Sequence, residues 1–432
     1  ASHHPDQSLI PASSLKVVTT AMALKFLGSD YTFKTTLEYD GQIDEAGVLQ
    51  GNLYIRGGGD PTLGSHHFAK AISFEAVLEQ LKDAVVAAGI RQVNGQIIGD
   101  ASFFDTAVSG RSWLWEDLGN YYGAGAWGLN LHENLFFLDF RQKKTLGATP
   151  DIENIRPEIP SLLLVNEVQL AEKGSGDNAY IFGAPYAYTR FVRGTIPVGQ
   201  QRFTIKGSIP DPPYFAAHHF MHQLMLADVS VAGVASSQLQ QTIEGYPPKS
   251  RTTLLVIDSP PLKDIVEEAN LKSVNLYCES MLRTIGKVRG EEGTAVRGLA
   301  IIKDYLTKNR VATNGFFMED GSGLSVRNAV SSYHLASIMR LIAQDPTIYE
   351  DFFNSLPLAG RTGSLKYLFK GSLAEKKLRA KSGGMSRVRS YTGYAPKRSG
   401  GWLAFSIIAN EFSGSSGVMR QKMEQLMIAL CQ

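Results

Sequence analysis

The run Ser14–Leu27, SLKVVTTAMALKFL, is apolar nearly all round, and Gly28 stops it. A helix with that pattern is a buried one, covered on every face, and this constrains the rest of the chain. The segments that follow have a different texture. YTFKTTLEYDG and GVLQGNLYIRGGG read as strands by alternation and β-branched content. AISFEAVLEQLKDAVVAAGI is an amphipathic helix ending at a glycine, residues 130–215 are mostly strand-like, and PYFAAHHFMHQLMLADV is another helix. After GYPPKSRTTLLVIDSPPL, helical segments are expected at about 261–287, 294–308 and 329–343. Late strands follow at LRAKSGG, SRVRSYTGYA and WLAFSIIAN, with a closing helix from Val418 to Leu430. A helix near the start and a sheet with helices at the end imply one domain assembled from both chain ends. The reading is therefore α+β and multi-domain: 1–37 with 250–432, and 38–249 as a large, mostly-β inserted region of two nested subdomains. A chain of 432 residues is too long for one ordinary core.

Composition narrows the function classes. Hydrophobic residues make up 44% and charged residues 19%, which describes a folded chain. With 43 basic against 41 acidic residues and no dense basic run, nothing favours nucleic acid or an anionic membrane as partner. No apolar stretch reaches the ~18 residues that span a bilayer. The two cysteines, Cys278 and Cys431, support neither a disulfide framework nor a zinc site. Oligomeric state cannot be read from the sequence.

The mouth of the buried helix reads IPASSLKVVTT. Residues three apart share a helix face, so Ser13 can meet Lys16 while Ser14 points elsewhere. A hydroxyl in a first helical turn also lies over free backbone amides, where negative charge is favoured. Serine needs a base, and a free lysine is neutral only about once in 2,500 at pH 7, a gap of roughly 4–5 kcal/mol. Burial and a second cation could close it. A capping serine beside a surface lysine would give the same letters, so the pair needs further parts. Two later stretches supply them: Ser273-Val274-Asn275 ahead of an apolar helix, and Lys381-Ser382-Gly383 entering a strand. Arg361-Thr362-Gly363 mimics the last motif but sits in a Gly/Pro-rich loop, whereas Lys381 opens an alternating strand.

S-x-x-K, S-x-N and K-[ST]-G in that order mark the penicillin-recognising serine acyl-transferases. The sequence resembles the class C low-molecular-mass penicillin-binding proteins, the D-alanyl-D-alanine carboxypeptidase/endopeptidase family. GNLYIRGGGDPTLG, WLWEDLGNYYGAGAWGLNLHENLF, GSIPDPPYFAAHHF, DSPPLKDIVEEAN, MEDGSGLS and LPLAGRTGSL extend the similarity over nearly the whole chain, and 260 residues separate the first two motif serines. The resemblance implies a penicillin-recognising serine transpeptidase/β-lactamase-like domain, an antiparallel sheet flanked by helices. It implies an exported enzyme of the bacterial periplasm or cell envelope that needs no cofactor. Its substrates would be peptidoglycan stem peptides, and β-lactams would inhibit it covalently. No signal peptide is visible in this sequence. In relatives a strand precedes the nucleophile helix, and only 12 residues precede Ser13 here, so the resemblance leaves open whether upstream residues exist or the sheet is one strand short.

By this resemblance Ser13 is the nucleophile and Lys16 the base of acylation. Ser273 relays a proton, and Asn275 orients Lys16 and the substrate amide. Lys381 and Ser382 hold the terminal carboxylate. The amides of Ser13 and of Gly384, just after Gly383, form the oxyanion hole. Val274 and Ser382 depart from the usual S-D-N and K-T-G, but the outer residues and the hydroxyl are kept. Asp117 would meet the free amine of a diaminopimelate side chain, with Tyr122 and Met385 lining the same subsite. Asp60 and Asp320 are expected to fix tight turns. The pairs His66-His67 and His218-His219 have no carboxylate or cysteine at ligand spacing in the sequence and are expected to be surface histidines, with no metal. The competing functions are a β-lactamase-like or esterase hydrolase of the same fold, or a non-catalytic wall-binding protein.

Overall fold

The computed structural model describes residues 2–199 and 201–431. The chain divides into two compact units, Ala1–Thr32 with Pro261–Gln432, and Phe33–Pro260. These divisions fall at 32/33 and 260/261 instead of 37/38 and 249/250. The reason is a pairing: strand Lys34–Tyr39 runs antiparallel to Thr252–Asp258, so both travel whole with the inserted unit.

In the first unit, a four-residue 3-10 turn, Ala12–Leu15, leads into the helix Lys16–Leu27. Lys16 through Leu24 are all buried. Helices Leu262–Lys272, Asn275–Gly290 and Ser332–Ala343 pack against it, which is the all-round cover its sequence demands. The expected helix over 261–287 is in fact two, because Ser273 adopts a left-handed conformation (φ 61, ψ 37) between them. That conformation costs a non-glycine residue about 1–2 kcal/mol and stops a right-handed helix. Strands Arg379–Met385, Val388–Pro396 and Trp402–Asn410 form an antiparallel meander. Helix Ser332–Ala343 packs on its last strand and Ser416–Ala429 on its middle one. The short helix Tyr349–Ser355 carries no sequence signal strong enough to have been expected.

Among the described residues the inserted unit holds four sheets. The largest orders Ala235–Ser237, Ile97–Asp100, Leu53–Arg56, Lys34–Tyr39 and Thr252–Asp258. Two three-stranded sheets come from residues 135–208, including the parallel pair Leu163–Ala171 and Thr189–Pro197. Where the sequence led us to expect two nested subdomains, one apolar cluster runs from Leu37 through Phe136, Val192 and Phe215 to Ile257. Helices Phe74–Ala87 and Pro212–Leu226 begin at the side-chain caps Ser73 and Asp211.

Candidate active site

The 3-10 turn decides between the two serines. Residues three apart eclipse in such a turn, so Ser13 stands directly over Lys16. Lys16 Nζ donates to Ser13 Oγ at 2.9 Å, and Ser13 is partly exposed. Ser14 is fully buried, donates to the Pro11 carbonyl at 2.8 Å and accepts from Ser390 Oγ at 2.9 Å. Ser14 is thus committed to holding the turn against the sheet.

Lys16 Nζ makes two further bonds, to Asn275 Oδ1 at 2.6 Å and to the Ser322 carbonyl at 2.7 Å. Ser13 Oγ, Asn275 Oδ1 and the Ser322 carbonyl thus surround Nζ; in the neutral amine two N–H groups serve Asn275 and Ser322 and the lone pair faces Ser13. The side chain is completely buried, and burial drives its pKa below the usual lysine range against the pull of Cys278, Asp320 and Glu279. Lys381, also completely buried, donates to Ser273 Oγ and to the Ser382 carbonyl, both at 2.9 Å. Burial first, and the Lys16 charge second, push Lys381 well below the ordinary range. The left-handed turn at Ser273 ends one helix and lets Asn275 open the next, so the two motif residues serve different lysines.

Gly383 has a packing reason visible only in three dimensions. A Cβ there would meet Ser390 Oγ at 2.4 Å, the Pro11 carbonyl at 2.5 Å and the Ser14 amide nitrogen at 2.7 Å. The strand carrying Lys381 is pressed onto the turn Ala12–Leu15, and only glycine permits that approach. At Gly384 an added Cβ would meet the Arg389 guanidinium at 2.9 Å, a flexible group. Ser382 Oγ donates to Ser364 Oγ at 2.7 Å, beside the Arg361-Thr362-Gly363 mimic, and Met385 ends the strand. Thr362 spends its hydroxyl accepting from the Leu358 amide.

Sequence reasoning missed the carbonyl of Ser322. It lies in MEDGSGLS, where Thr19 Oγ1 donates to the Gly321 carbonyl at 2.6 Å and Gly323 approaches the Ala12 carbonyl so closely that a Cβ would stand 2.1 Å from it. Asp320 accepts from the Gly323 and Ser325 amides and from Asn328 Nδ2, fixing this loop. Asp60 does the same for Thr62. Glu279, buried below, accepts the amides of Gly321 and Ser322 at 3.2 and 2.7 Å, and burial with Asp320 nearby pushes it up to about 7. The run of small residues in that motif was the available signal.

Asp117 and Tyr122 belong to the inserted unit, where Asp117 accepts a hydrogen bond from Tyr122. Burial raises both pKa values. The histidine expectation needs correction. His67 is exposed as expected and His66 is half-buried, but a carboxylate does stand beside them: Glu133, sixty-odd positions away, lies 3.8 Å from His66 Nδ1 and 3.1 Å from His67 Nδ1. His219 is half-buried against Phe74 and Phe215, with Nε2 at 2.9 Å from the Glu158 carbonyl.

Residues 1–430 match the model of the D-Ala-D-Ala carboxypeptidase 3 (S13) family. The chain is 28% identical over 422 residues to a D-alanyl-D-alanine carboxypeptidase of Actinomadura sp. (strain R39), covering 94% of this chain and 74% of that protein. It is 24% identical over 419 residues to D-alanyl-D-alanine carboxypeptidase DacB of Haemophilus influenzae, covering 96% and 83%. In fold it is similar to the crystal structure of penicillin binding protein 4 of the same organism, with a TM-score of 0.84 at 23% identity over 100% of this chain and 93% of that one. No helix among the described residues is long and apolar enough to cross a membrane.

Proposed function

This chain belongs to the D-Ala-D-Ala carboxypeptidase 3 (S13) family and is a serine-type DD-peptidase of peptidoglycan, and from that premise we propose how its residues divide the work. Ser13 Oγ attacks the carbonyl carbon between the two terminal D-alanines while its proton passes to Lys16 Nζ. The 2.9 Å Ser13–Lys16 contact is the observation that carries this assignment. Asn275 and the Ser322 carbonyl hold the amine in place, and burial keeps its affinity for a proton low enough for it to act as a base. The tetrahedral oxyanion rests on the amides of Ser13 and Gly384. On collapse the carbon–nitrogen bond breaks, and the leaving amine takes a proton relayed through Ser273. Water then releases the acyl group from Ser13. Lys381 and Ser382 hold the terminal carboxylate by charge and hydrogen bond.

The substrate is a stem peptide or a D-Ala–diaminopimelate cross-link, with the Asp117 carboxylate, hydrogen-bonded by Tyr122, as the group that would meet a free diaminopimelate amine. β-Lactams acylate Ser13 by the same route, and their tethered leaving amine slows release. The site of action is the periplasm or cell envelope, where such substrates occur. The test is to incubate the chain with fluorescent penicillin, denature it and map the label. Label on the peptide containing Ser13, with release of D-alanine from a pentapeptide, is expected. No label, or label on another serine, overturns the assignment.

A further inference from the structure

We propose that His66, His67 and Glu133 of the inserted unit form a binding site for a divalent transition metal of the zinc type. Their donor atoms all lie within 4.8 Å of one another. Around a tetrahedral zinc ion with bonds of about 2.0–2.2 Å, neighbouring ligand atoms stand roughly 3.3–3.5 Å apart. Glu133 reaches His67 Nδ1 with Oε1 at 3.1 Å and His66 Nδ1 with Oε2 at 3.8 Å, on either side of that spacing. Small rotations of two imidazoles would close the triangle. Two imidazoles and one carboxylate are a recognised donor set for zinc that leaves a coordination position for water.

A second observation points the same way. His66 Nδ1 is buried and has no hydrogen-bond partner. A buried polar atom without a partner calls for an explanation, and a metal ion supplies one. Glu133 is held in register from behind: Ser65 Oγ donates to its carboxylate, and Asn134 Oδ1 accepts from the Leu131 amide. The turn His132–Asn134 keeps three successive residues in the left-handed region, which aims Glu133 at the two histidines. On the other nitrogen of the His66 ring, Lys206 Nζ stands 3.5 Å from Nε2. Metal on Nδ1 places the ring proton on Nε2, so the ammonium must turn away toward the faces of Phe137 and Tyr121, already 5.3 and 5.5 Å from it. Lys206 is therefore a built-in antagonist of the cation.

The experiment uses the full chain without a histidine tag, stripped with EDTA, equilibrated with Zn²⁺, desalted and measured for metal content and by calorimetry. Co²⁺ serves as a coloured probe of coordination. Wild type is expected to take up one zinc more per chain than His66→Ala or His67→Ala. Each variant should lose more affinity than the 10–100-fold typical of losing an outer-shell partner. Lys206→Met should bind more tightly than wild type. Unchanged circular dichroism and thermal midpoints of the metal-free chains report that the variants are folded. Zinc uptake that is absent in wild type, or the same in wild type and both histidine variants, overturns the proposal.

Discussion

Gly383→Ala tests whether the fit between the motif strand and the nucleophile turn governs activity. The new Cβ would stand 2.5 Å from the Pro11 carbonyl and 2.7 Å from the Ser14 nitrogen, against 3.4 Å for ordinary contact. The deficits are about 0.9 and 0.7 Å, and both partners are backbone, so the strand and the turn must separate. Overpacking of this kind costs about 1–3 kcal/mol. The larger effect falls on geometry. A misplacement near 1 Å costs about 100-fold in rate, equivalent to roughly 2.7 kcal/mol of barrier. Stopped-flow labelling with fluorescent penicillin should therefore slow by about two orders of magnitude, with a lowered thermal midpoint. Ser390→Ala in the same chain relieves the 2.4 Å contact but also removes the Ser390 hydrogen bonds to the Pro11 carbonyl and Ser14 Oγ, and should restore little. A single variant labelled within twofold of wild type, or full rescue by Ser390→Ala, would refute the argument that backbone contact is what requires glycine here.

Other variants separate the remaining roles. Ser13→Ala should abolish labelling, whereas Ser14→Ala should keep most of it and lose about 1 kcal/mol of stability with its hydrogen bond to Pro11; a dead Ser14→Ala would reverse the choice of nucleophile. Glu279 has a folded-state pKa near 7 against an ordinary 4.5, so the folded chain holds an extra proton between those values. The stability it contributes is full below about pH 4.5 and is lost as pH rises through about 7, at no more than about 1.4 kcal/mol per pH unit. Thermal midpoints of wild type should fall over that window, and those of Glu279→Gln should fall less; parallel curves would exclude Glu279 as the titrating group. Asp117→Asn should lower kcat/KM for peptides with a free diaminopimelate amine and spare plain D-Ala-D-Ala peptides, and equal loss on both would remove Asp117 from the subsite.

The proposed constellation was legible because each of its parts carries a local pattern. Ser13 and Lys16 share one turn, Ser273 and Asn275 flank one helix break, and Lys381 lies near the start of one strand. What escaped is what depends on chain segments far apart in sequence. The Ser322 carbonyl bonds Lys16 through backbone, which no side-chain motif encodes. Gly383 could be read as a glycine beside substrate, but its tightest backbone neighbours are Pro11 and Ser14, more than 360 positions earlier. Glu133 meets His67 only because the sheets of the inserted unit fold residues 65–68 onto a left-handed turn. The unit boundaries moved for a similar reason. Composition changes near residue 250, but strand pairing between Lys34–Tyr39 and Thr252–Asp258 decides where the inserted unit ends.

The all-round apolar helix Lys16–Leu27 also has a history in time. The first helix that covers it begins at Leu262. At about 5–20 residues per second, synthesis of the intervening chain takes roughly ten to fifty seconds. Through that interval none of its covering helices has been made, whereas both strands of the pair Lys34–Tyr39 and Thr252–Asp258 in the inserted unit precede Leu262. Lys381 arrives later still, so the proposed nucleophile and base are made first and the proposed carboxylate anchor nearly last. Nascent chains stalled short of Lys381 should therefore carry Ser13 and Lys16 yet fail to react with fluorescent penicillin, and reactive stalled chains would show that the site forms without its third motif.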